Sequence, residues 1–137
     1  MSHFDLDFGS GGIKIGSTSG VTIRGNTIQH NDGSGVHFDD YSQNEVLEGN
    51  IITDNYDSDG MNQEMGYGTS TFRNNIVLRN GAQVSQTHYT DHIAVHASSG
   101  VTAYCYVMEV SKGPGVNGWI VGAANRGYSA YPRPTSS

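Results

Sequence analysis

The sequence predicts an all-β solenoid, a short coil of about four to five rungs whose strands run parallel. Three observations predict it. Asn recurs before an apolar residue pair at a nearly constant step, in Gly25-Asn26-Thr27-Ile28, Gly49-Asn50-Ile51-Ile52 and Asn74-Asn75-Ile76-Val77. A second Asn column, Asn31, Asn55 and Asn80, and an apolar column, Ile23, Leu47 and Phe72, keep the same step. Short alternating segments also repeat: Ile13-Lys-Ile, Val36-His-Phe, Met61-Asn-Gln, Ile93-Ala-Val and, as a fifth, Trp119-Ile-Val. A fixed period in this range means that each repeat is one supersecondary unit and that neighbours close the core together.

In chain order, residues 1–12 form an N-terminal edge strand or cap, with Phe4, Leu6 and Phe8 alternating against Asp5 and Asp7. Rungs occupy 13–127 and a tail 128–137. The whole is a single domain. Gly9 to Gly12 is not a dinucleotide fingerprint, because Lys14 takes the third glycine position and no helix pattern follows. Gly16 to Gly20 has Thr18 where a nucleophile-elbow serine belongs. The strand step widens between Met61 and Ile93, so Ala82 to Asp91 is a long loop that walls a groove. Gly100 opens a fourth copy of the Gly20 segment, with Tyr106 at the ladder position and Cys105 in the column of Gly25, Gly49 and Asn74.

A helix does not account for this pattern. The apolar spacing is two, the segments are short, and Gly, Asn and Asp punctuate them. Alternation sends side chains to opposite faces. The inward columns are Ile13, Val36, Met61, Ile93, Trp119 and Ile15, Phe38, Gln63, Val95, Val121. Gln63 breaks the second column and needs hydrogen-bond partners if buried. Stacked Asn side chains answer the problem of buried turn backbone by bonding to the next rung. Arg24, Glu48 and Arg73 fall in one outward column as a surface ion-pair ladder. Glu45 stands where Val21 and Val101 do, and is expected to turn outward at the strand start.

These rungs resemble the right-handed parallel β-helix of the pectate-lyase-like superfamily, over roughly Gly9 to Gly127. The resemblance implies a short right-handed single-stranded parallel β-helix. For function it implies either of two classes, because that superfamily holds lyases, hydrolases and epimerases alongside non-enzymatic proteins. The first is a carbohydrate-active or polysaccharide-binding domain. The second is a non-catalytic structural or assembly protein that stacks through its rung ends, or the remainder of a longer solenoid. It also implies a secreted or cell-surface protein, although the chain carries no signal-peptide pattern.

Composition narrows the partners. A net charge of −6 argues against nucleic acid, whose phosphates need a basic footprint, and against anionic membranes. One cysteine allows no disulfide within the chain. No apolar run is long enough for a transmembrane helix.

The outward rows supply the candidate site. Lys14, His37, Asn62 and Ala94 make one row, and Gly16, Asp39, Glu64 and His96 the next. In register, Asp39 and Glu64 stand about 5 Å apart at the backbone and face solvent. The candidate catalytic residues are Asp39, Glu64, His37, His96 and Lys14. The candidate substrate contacts are Asn62, Asp40, Tyr41 and, from the long loop, His88 and Tyr89. Paired carboxylates with His and Lys nearby suit acid–base work on a polysaccharide or oligosaccharide. In β-elimination or epimerisation of a uronic acid, Lys14 or His37 removes the C5 proton, and Ca²⁺ held by Asp39 and Glu64 is one way to neutralise the substrate carboxylate. No metal-centre motif is present. His88, His92 and His96 have helical spacing, but the segment reads as a strand, which sets His92 and His96 about 13 Å apart.

Overall fold

The computed structural model describes residues 11–56, 59–81, 90–96, 98, 100–104, 107–108 and 116–122. Among them every regular element is a strand, in three parallel sheets. The first sheet runs β1 (Gly11–Gly16), β4 (Ser34–Asp39), β7 (Met61–Glu64), β10 (Thr90–His96), β13 (Val116–Gly122). The second holds β2 (Thr22–Arg24), β5 (Val46–Glu48), β8 (Ser70–Arg73), β11 (Val101–Tyr104). The third holds β3 (Thr27–Gln29), β6 (Ile51–Thr53), β9 (Ile76–Leu78), β12 (Val107–Met108). Each turn of the chain gives one strand to each sheet, so the coil completes four rungs and begins a fifth.

The predicted columns are the observed register. Ile13 pairs Val36, Val36 pairs Met61, Met61 pairs Ile93, and Ile93 pairs Trp119. Ile23, Leu47 and Phe72 stack in the second sheet, and Ile28, Ile52 and Val77 in the third. Val36, Met61 and Ile93 with these two columns and Phe38 are the buried core, and Ile13 packs against it partly buried. Phe38 of the first sheet stacks on Phe72 of the second, ring centroids 5.7 Å apart and nearly parallel, which ties two walls together across the interior.

The Asn columns are ladders. Asn50 donates from its side chain to Ile23 O at 3.0 Å and to Asn75 Oδ1 at 3.0 Å, while its own Oδ1 accepts from the Asn26 backbone. Asn55 does the same between Ile28 O and Asn80 Oδ1. The Asn50 ladder satisfies backbone at the corner from the second sheet to the third, and the Asn55 ladder does so at the corner from the third sheet back to the first. Gly35 is required at the approach to β4, since a Cβ there would fall 2.5 Å from Gly60 O, against backbone that cannot yield.

Two expectations change. Glu45 is fully buried: it continues the Val21 column inward, and its Oε2 accepts from Ser70 Oγ at 2.6 Å. The hydroxyl one rung on gives it a partner inside, which the valines at the same position did not suggest. The loop after the third rung is shorter than expected, because Thr90 and Asp91 already belong to β10 and pair Val116 and Asn117. The expectations for the N-terminal cap, the tail, Cys105 and Tyr106 lie outside the described residues. So do most of the long loop, including His88 and Tyr89. Among the described residues no helix is long and apolar enough to cross a membrane.

Candidate functional site

The site sits on the outward face of the first sheet because alternation leaves it there. Val36 and Phe38 are wholly buried inward, so His37 and Asp39 project outward from β4. Parallel pairing then sets Lys14 and Asn62 on either side of His37, and Gly16 beside Asp39. Glu64 lies one residue past the pair Phe38 and Gln63, on the strand next to Asp39, and its other neighbour in register is His96. The chain leaves β4 through a tight turn that fixes Asp39. Asp40 donates its backbone N–H to Asp39 Oδ1 at 2.8 Å, and the buried Ser42 hydroxyl lies 2.6 Å from Asp39 O and 3.1 Å from Ile15 O.

The side chains converge. Lys14 Nζ lies 2.8 Å from Asp39 Oδ2. His37 Nε2 lies 3.4 Å from Glu64 Oε2 and 3.9 Å from Asp39 Oδ2. Ligand-capable atoms of His37, Asp39 and Glu64 all fall within 4.8 Å of one another. The close approach of His37 to Glu64 lacks hydrogen-bond geometry, and Nε2 is a buried atom without a hydrogen-bond partner among the described residues. Asn62 Oδ1, in the adjacent rung, is buried and has no partner among the described residues as well.

The face was expected to be open to solvent, and its polar side chains are buried instead. Asp39 and Glu64 are each 9% exposed and Asn62 8%. Side chains at rung spacing screen one another from water.

Of the sequence candidates, Lys14, His37, Asp39 and Glu64 come together with Asn62 beside them. His96 takes its expected register position beside Glu64; its side chain lies outside the description. Asp40 is exposed and serves the turn, its carbonyl accepting from Ser17 N–H at 2.6 Å. Tyr41 is half-buried and meets Tyr67 edge-on, with ring centroids 6.2 Å apart. Tyr67 was not foreseen. It follows Tyr41 by one rung, yet belongs to a turn that the Asn repeat does not index. The outward column of the second sheet is the ion ladder expected. Arg24 and Arg73 both reach Glu48 Oε2, at 3.0 and 3.1 Å. The Arg73 hydrogen bond foremost, then Arg24, holds the Glu48 carboxyl below its ordinary range.

The geometry is that of a coil of three parallel walls whose side chains stack rung on rung. A family model described as right handed beta helix region matches residues 3–105.

The chain belongs to the right-handed β-helix family.

Membership accounts for the three-walled coil, its hand and its repeats, and it assigns no chemistry. No curated protein and no solved structure matches the chain. The buried polar cluster on the first sheet of this β-helix is therefore interpreted from its own residues.

Proposed function

We propose that this β-helix domain acts on a polysaccharide by acid–base chemistry at Lys14, His37, Asp39 and Glu64. The observation that carries the reading is the convergence of one imidazole and two carboxylates within 4.8 Å, largely buried, with an ammonium in contact. The first sheet presents those groups together on one face. An imidazole and two carboxyl groups on one face are the residue types that acid–base work uses.

Two reaction forms fit. In glycoside hydrolysis, a separation near 5 Å belongs to the retaining class, with one carboxyl as acid and the other as nucleophile. In a uronic acid polymer, His37 takes the C5 proton while the Lys14 ammonium faces the substrate carboxylate, the C5–H electron pair forms the new double bond, and the glycosidic oxygen leaves with its bonding pair.

The test is incubation of the purified protein with uronate polymers and with neutral glycans, following unsaturated product by ultraviolet absorbance and new reducing ends by a colour assay. Turnover that falls by about a hundredfold or more in Asp39→Asn and Glu64→Gln is expected. Silence on every glycan class sinks the reading and favours a structural role for the coil.

A further inference from the structure

We infer that His37, Asp39 and Glu64 are the ligands of a single divalent cation of the zinc and manganese type. Only the location of the working site is taken from the proposed function. No glycan is needed for the ion to bind.

The distances carry the argument. A tetrahedral ion with bonds of about 2.0–2.2 Å spaces its ligand atoms about 3.3–3.6 Å apart. His37 Nε2 and Glu64 Oε2 are already 3.4 Å apart, and His37 Nε2 and Asp39 Oδ2 3.9 Å. Closing the third side of the triangle, at most 4.8 Å, takes only a small side chain rotation. Three protein ligands leave a fourth position for water or substrate.

The chemistry of the donors agrees. His37 Nε2 is buried and has no hydrogen-bond partner among the described residues, although two carboxylates stand close by. The nitrogen and the two carboxylates face one another with no hydrogen bond between them, an arrangement that an ion among them would satisfy. Asn62 makes a second, independent observation: a side chain more than nine-tenths buried, in register with His37, whose Oδ1 also lacks a partner among the described residues. Asp39 is preset as a ligand. Its Oδ1 is fixed by the Asp40 N–H, and Oδ2 faces both Lys14 and His37.

The same donors decide which ion. Ca²⁺ takes six to eight oxygens, and this site offers two carboxylates and a nitrogen. Imidazole with carboxylate suits the first-row transition ions and zinc. An ion here also removes a difficulty of charge. Without it, two carboxylates against one ammonium would repel an acidic sugar; with it, the site attracts one. With the ion in place His37 would be a ligand and not the base, so the loaded site would work by metal assistance rather than by the acid–base route proposed above.

The experiment titrates chelator-treated protein with Zn²⁺, Mn²⁺, Ca²⁺ and Mg²⁺ by calorimetry, with melting temperature read alongside. One Zn²⁺ or Mn²⁺ per chain is expected, bound at least about tenfold tighter than Ca²⁺ or Mg²⁺. His37→Ala and Glu64→Gln should each weaken binding by about tenfold or more, while their circular dichroism stays that of the parent. Asp54→Asn, on another wall, should bind as the parent does. No binding, equal affinity for Ca²⁺, or binding that survives His37→Ala overturns the inference; the last outcome assigns the ion to other histidines. Should His37→Ala misfold, Co²⁺ loaded into the parent gives a second readout, since ligand-field bands without imidazole nitrogen overturn it too. An ion bound with no turnover on any glycan sinks the proposed function and leaves this inference standing.

Discussion

Asn50 hydrogen-bonds both to the rung before it and to the rung after it, and it is 1% exposed. Replacing it with Ala orphans the Ile23 carbonyl and takes one donor from Asn75 Oδ1, both buried bonds, and bares the Asn26 N–H at the exposed end rung. Each orphaned buried group costs about 1–3 kcal/mol. Asn50→Ala should therefore lower unfolding free energy by about 2–4 kcal/mol in chemical denaturation. Asn26→Ala, at an exposed end of the same ladder, should cost well under half of that. Gln63 presents the opposite case. It is 1% exposed, its amide nitrogen and oxygen have no partner among the described residues, and the Cβ-free Gly66 makes room for the amide. Gln63→Met keeps the volume and removes two unsatisfied atoms. It should stabilise by about 1–2 kcal/mol; a loss of stability would show that the amide is satisfied after all.

At the scale of the strand and its turn, the coil depends on where the backbone enters the left-handed region. Gly25, Gly49 and Asn74 occupy one such column, at φ of 67°, 63° and 57°. A Cβ at Gly49 would meet nothing within 4 Å. Gly49→Asn should then be neutral to within about 0.5 kcal/mol, since Asn tolerates that conformation. Gly35→Ala places a methyl against Gly60 O and Ile52, and should cost more than about 2 kcal/mol by forcing two rungs apart. Another turn column, His30, Asp54 and Arg79, also has positive φ, and there the side chains pair. Arg79 grips Asp54 with two hydrogen bonds, of 2.7 and 2.6 Å, and chiefly by them lowers its pKa from 3.8 to about 2. A carboxyl whose folded value is depressed contributes stability above its unfolded value and loses it as pH falls through the folded one. The melting-temperature gap between the parent and Asp54→Asn should be full above about pH 4 and closed near pH 2. It should be small, because the pair is exposed, and smaller still in high salt.

The coil as a whole was legible because its repeats are written in the residue types that only a stack requires. Asn at 26, 50 and 75 and the columns through Ile23 and Ile13 indexed every described rung. The same indexing placed Lys14, His37, Asp39 and Glu64 on one face. What the pattern did not carry was depth. A carboxylate such as Glu45 looks like a surface residue until its neighbour proves to be Ser70, and Asp39 looks solvated until its neighbours close over it. Burial here is a property of adjacent rungs, and a single rung does not contain it. The same fact governs how the molecule should come apart. Leu47 is fully buried between Ile23 and Phe72, whereas Ile23, in the first described rung, pairs only Leu47 among the described residues. Stability in such a coil is close to a sum of rung and nearest-neighbour terms. Leu47→Ala should cost about 3–5 kcal/mol and Ile23→Ala about 2–3 kcal/mol. Hydrogen exchange separates the two further. Ile23→Ala should raise exchange at rung-one amides and leave the Thr71 and Ile76 amides, bonded to Glu45 O and Asn50 O, protected. Leu47→Ala should release those amides along with the Val46 amide, bonded to Val21 O. Equal loss of protection everywhere in both variants would mean that the rungs unfold as one unit, and the nearest-neighbour account would fail.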